Sequence, residues 1–142
     1  MTWTLALDYD VSSVPLARHW VTRLCHEHAF GPDLADLLAL LSTELVANAV
    51  LHGAAPVEVS VSLTGPTETG TAETGTAGSS VVVACTDGSS RLPTVKQVQV
   101  EATGGRGVAL IDMLANAWGV QLQVGGKRVW FQLDSTSGAN AP

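Results

Sequence analysis

A two-layer α/β (α+β) sandwich, with a mixed but mostly antiparallel sheet and helices on one face, is the fold class this sequence predicts. Three observations lead to it. The hydrophobic period switches along the chain in the order strand, helix, helix, strand, strand, helix, strand, strand, which is not a repeating βαβ pattern. The stretch from Trp118 to Leu133 alternates on both sides of Gly125-Gly126, the mark of an antiparallel hairpin. The chain has 142 residues, of which 46% are hydrophobic and 14% charged, enough apolar material for one core.

The elements follow in order. Trp3, Leu5, Leu7 and Tyr9 alternate with Thr4, Ala6 and Asp8, a strand with one buried face. Ser12 and Ser13 precede Pro15 and offer a capped start to a helix running from Val14 to about Phe30, which Gly31-Pro32 ends. Pro32 or Asp33 opens a second helix, where Leu34, Leu37, Leu38, Leu41 and Leu45 recur at helical spacing up to a stop at Gly53. Val57, Val59, Val61 and Leu63 alternate with polar residues, a half-buried strand. The run Val81-Val82-Val83-Ala84-Cys85 within 79–86 reads as an interior strand covered on both faces. The connector 64–80 carries a tandem repeat, Glu68-Thr69-Gly70-Thr71-Ala72 then Glu73-Thr74-Gly75-Thr76-Ala77, with nothing large to bury, and is expected to be a flexible low-complexity loop. An apolar helix spans Val108 to about Ala117, and Gly125-Gly126 is the expected hairpin turn. Residues 1–135 thus form a single domain, and 136–142 a disordered tail.

Composition narrows the function. Thirteen acidic against seven basic residues give a formal charge of −6, which argues against a cationic footprint for nucleic acid or an anionic membrane. No apolar run approaches the roughly 18 residues of a spanning helix, and Met1-Thr2-Trp3-Thr4 lacks the basic start and apolar core of a signal peptide, so a cytoplasmic protein is expected. Cys25 and Cys85 have no CxxC or Cys/His spacing and read as small buried apolar residues.

Three motifs carry chemistry. Within Glu44-Leu45-Val46-Ala47-Asn48-Ala49-Val50-Leu51-His52-Gly53, Glu44 and Asn48 are i, i+4 neighbours continuing the stripe of Leu37 and Leu41, and should point inward. A carboxylate and an amide oxygen there could hold a Mg²⁺ ion with its waters; alternatively they hydrogen-bond to backbone or to each other. His52, just before the helix-ending glycine, reads as part of the helix terminus. Asp87-Gly88 ends the interior strand: the carboxylate can accept a hydrogen bond from an exocyclic amine such as adenine's, and the glycine lets a flat ring approach, although an ordinary Asp-Gly turn looks the same. Thr103-Gly104-Gly105-Arg106-Gly107 opens the next helix, where free N–H groups and the helix dipole suit phosphate and Arg106 adds a charge. A plain flexible loop is the other reading. The Lys-Ser/Thr pair of a Walker loop is absent.

Taken together and in this order, the three motifs resemble the GHKL superfamily of ATP-binding domains, the gyrase, heat-shock chaperone, histidine-kinase and mismatch-repair ATPases. Within it they are most similar to the small anti-sigma-factor serine/threonine kinases of bacterial regulation. The resemblance runs from about Leu5 to Leu133. It implies Glu44 as general base, Asn48 as Mg²⁺ ligand, Asp87 with Gly88 at the adenine, and Gly104, Gly105, Arg106 and Gly107 in a lid over the phosphates of ATP. Ser90 stands where many superfamily members carry a second glycine. The implied partners are an anti-anti-sigma (STAS) protein, a sigma factor or both, with a homodimer compatible with the family. A non-catalytic module that uses nucleotide to switch its affinity for a protein is the alternative.

Overall fold

The computed structural model describes residues 1–28, 30–64, 79–91 and 107–134. The expected loop at 64–80 (all but its ends), the lid glycines Gly104 and Gly105 with Arg106, and the tail at 136–142 lie outside the described residues.

The element order is that of the sequence reading: β1 (Thr2–Leu7), α1 (Ser13–Glu27), α2 (Pro32–His52), β2 (Val57–Thr64), β3 (Ser80–Asp87), α3 (Gly107–Leu114), β4 (Ala117–Gln123) and β5 (Gly126–Asp134). The strands form one sheet in the order β1-β2-β3-β5-β4. All four pairings are antiparallel, so the parallel component of the expected mixed sheet is absent among the described strands.

Alternation in the strands sets the core. Leu7, Val57, Val59, Val61, Leu63, Val81, Val83, Cys85, Val129, Phe131 and Leu133 are buried together with Ala17, Val21 and Leu24 of α1, Leu38, Leu41, Leu45 and Val46 of α2, and Ile111 of α3. At about 25 cal/mol per Å² of apolar surface removed from water, this layer is the main stabilising contribution. The described helices pack on this face. On the other face of β3, Ala84 is 2% exposed and Val82 half-buried, so the expected cover on both sides holds at Ala84 and is partial at Val82.

Two local readings are also corrected. Ser12 occupies the N-cap of α1 without capping it: its hydroxyl and N–H both donate to the Asp10 carboxylate, holding that pKa below its ordinary value, while Ser13 Oγ donates to the Asp8 carbonyl at 2.7 Å. At the hairpin the turn residues are Val124 and Gly125, not Gly125-Gly126, since Gln123 pairs with Gly126. Gly125 has φ +83°, a conformation glycine adopts without strain. Gly126 joins β5 because it lies against β3: a Cβ there would sit 1.9 Å from the Asp87 carbonyl oxygen.

One further expectation changes. α2, at 21 residues, is long and apolar enough to cross a membrane by length and composition. Here it is the central core helix, packed against α1, α3 and the sheet, with polar groups on one margin.

Candidate functional site

The site begins with the C-terminal half of α2. At about 100° per residue, its buried positions Leu38, Leu41, Ser42, Leu45, Val46, Asn48, Ala49 and Val50 form one arc. Asn48 lies just inside that arc and is 7% exposed; Glu44, one turn earlier, lies at its margin and is half-buried. Asn48 therefore points toward the body of the protein, as its spacing predicts, while Glu44 sits at the edge of that face. Neither forms a hydrogen bond or ion pair with a described residue, so the reading in which they satisfy one another or nearby backbone is not realised there.

α2 ends where β3 ends. Gly53 caps the helix, its N–H donating to the Ala49 carbonyl at 2.9 Å, and Tyr9 Oη donates to the Gly53 carbonyl at 2.8 Å. Gly53 rests directly on Asp87: a Cβ on it would stand 2.6 Å from Asp87 Cγ and 2.7 Å from Oδ2. Gly88 is held on the same loop, its N–H donating to the Ala54 carbonyl at 2.7 Å, and a Cβ on it would meet the Ala55 carbonyl oxygen at 2.0 Å. The Asp87 carboxylate and the helix carrying Glu44 and Asn48 are thereby fastened together. From Glu44 to Gly53 is nine residues, or roughly 14 Å along a helix axis, the order of length of an extended nucleoside triphosphate.

Asp87 itself is 5% exposed and is not free. Its Oδ1 accepts the Ser89 N–H at 2.8 Å and the Lys127 ammonium at 3.1 Å; Lys127 Nζ is also 3.0 Å from Oδ2. Lys127, on β5, is 3% exposed. The sequence reading missed it. The signal was present: Lys127, Val129, Phe131 and Leu133 share the inward face of β5, and a lysine on an apolar face needs a buried counter-charge. Gly53 was read only as a helix stop, and Tyr9 only as a strand residue.

The phosphate end is described in part. Gly107 is the first residue of α3, so the glycine-rich segment does lead into a helix N-terminus. The far end of α3 is anchored to the sheet: Trp118 Nε1 donates to Asp112 Oδ1 at 2.8 Å, and the Asn116 N–H donates to the Gln132 carbonyl at 2.9 Å.

No cluster of three or more His, Cys, Asp or Glu side chains suited to a metal occurs among the described residues. A Mg²⁺ ion that keeps phosphate oxygens and waters as most of its ligands would need only one protein amide, such as that of Asn48. Both cysteines are buried free thiols, as read from their spacing.

The sequence model of a family described as histidine kinase-like ATPase domain matches residues 7–133. No curated protein matches the chain.

Proposed function

Since the chain belongs to the histidine kinase-like ATPase domain family, we propose that it is a cytoplasmic ATP-binding regulatory protein of the anti-sigma-factor type, phosphorylating a serine or threonine of an anti-anti-sigma (STAS) protein. The observation that carries this reading is the contact that fixes the Asp87 carboxylate at the C-terminal end of α2. Gly53 packs the Asn48-bearing helix onto the Asp87 carboxylate, and so spaces a base-reading group and a phosphate-side pair along one helix.

Each residue then has a task. Asp87 accepts the N–H of the adenine amine, with Gly88 keeping the end of β3 close against Ala54 and Ala55. The Asn48 amide oxygen would hold Mg²⁺, which would offset the phosphate charge. Gly104, Gly105 and Gly107 offer backbone N–H groups to the phosphates, and Arg106 adds charge. Bound ATP supplies the phosphoryl group. Glu44, half-buried and without a partner among the described residues, accepts the proton of the protein hydroxyl as that oxygen bonds to the γ-phosphorus and ADP leaves.

The test is phosphoryl transfer from labelled ATP to a STAS protein in the presence of Mg²⁺. Glu44→Ala should lower transfer at least about a hundredfold while leaving ATP affinity within about twofold, whereas Asn48→Ala should weaken both. Binding without transfer to any STAS partner would remove the kinase reading.

One observation favours a second reading, a nucleotide-dependent binding module without catalysis. Asp87 is already held by Lys127, so a base that engages it joins an existing ion pair rather than a free carboxylate. Calorimetric titration separates the two. A module that switches on nucleotide state must bind ATP and ADP unequally, and equal affinities would exclude it.

A further inference from the structure

Resting on the nucleotide reading above, we propose that Lys127 reads the base jointly with Asp87, its ammonium donating to the ring nitrogen beside the exocyclic amine that Asp87 accepts. A carboxylate offers about four lone-pair positions. Three of Asp87's are used, by the Ser89 N–H and Lys127 on Oδ1 and by Lys127 on Oδ2. An ammonium carries three N–H donors, and among the described residues Lys127 spends its donors on Asp87 alone. The pair therefore keeps one acceptor on Oδ2 and one adjacent donor on Nζ.

The Watson–Crick edge of adenine is the mirror of that arrangement, an amine donor next to the N1 acceptor. A lone carboxylate would read the amine and leave N1 unsatisfied; the ion pair satisfies both. The pair is also neutral as a unit, so a base can share its contacts without leaving a bare charge in a buried place. Leu122 stands opposite Lys127 in the β4–β5 register, on the same face, and is 62% exposed, an apolar surface beside the pair on which a flat ring can lie.

The experiment compares ATP with 1-deaza-ATP, which keeps the amine and replaces N1 by C–H, using calorimetry on the full chain with Mg²⁺. The wild-type protein should bind 1-deaza-ATP about tenfold more weakly than ATP, the scale of one hydrogen bond to a charged donor. In Lys127→Met that ratio should fall to near one, because the donor is gone. A residue with only a structural role would lower the melting temperature of the variant and leave the ratio unchanged. Equal wild-type affinities for the two nucleotides overturn the Lys127 role while leaving the ATP-binding reading intact. The wild-type comparison needs no variant, so it decides the matter even where Lys127→Met does not fold. Binding of neither nucleotide by the wild type overturns both readings together.

Discussion

Single side chains in this protein are sorted by whether burial comes with a partner. Asp87 and Lys127 are buried as a pair, while Asn48 is buried with an open amide. Ser42 stands apart from that pair: it is fully buried on α2, and its hydroxyl has no hydrogen-bond partner among the described residues. Replacing Ser42 with alanine removes an unsatisfied polar group and should raise stability by about 1 kcal/mol in urea unfolding. The two thiols respond to burial through their ionisation. Desolvation first, then the nearby Asp87 charge, push Cys85 up to about 12, and desolvation pushes Cys25 up to about 11, both from an ordinary 9.0. Between pH 9 and 11 the unfolded chain releases these protons and the folded one keeps them, so stability falls as pH rises through that window. The urea midpoint should drop from pH 8 to pH 10.5, and the Cys25→Ala, Cys85→Ala double variant should show a smaller drop. Lys127 shows where single-residue reading stopped. Its place on the inward face of β5 was visible as period two, but its partner is 40 residues away.

At the level of elements, α2 is both the core helix and the frame of the site. Its leucine spacing and its ends at Pro32 and Gly53 were legible because helix period and terminators are local properties. What Gly53 does beyond stopping the helix was not legible, because the reason is the carboxylate of another element packed on its Cα. Gly53→Ala should therefore cost about 1–3 kcal/mol, as overpacking does, and should weaken ATP binding as well as lower the melting temperature. A drop in stability with ATP affinity retained would mean that the Gly53–Asp87 contact serves the fold alone. The hairpin carries the same lesson. Gly125-Gly126 was readable as a turn, yet the register moved by one residue because Gly126 is needed inside β5, against the Asp87 carbonyl.

For the molecule as a whole, charge is the governing quantity. With a formal −6, the protein repels a triphosphate at long range, and among the described residues the one buried cation, Lys127, sits at the base end, already paired. Affinity for ATP should accordingly depend on the metal, falling at least about tenfold when Mg²⁺ is chelated, as titration with and without EDTA would show. Unchanged affinity on chelation would count against Asn48 as a metal ligand. The sequence by itself determined the order and type of the elements, the inward stripe of α2 and the chemical kind of each motif, because side-chain period, turn chemistry and charge count are set by neighbours along the chain. Only the tertiary structure decided that α2 and β3 end against each other and that Asp87 meets Lys127. Those contacts depend on the strand order β2-β3-β5 and on close backbone approach, which no local pattern encodes.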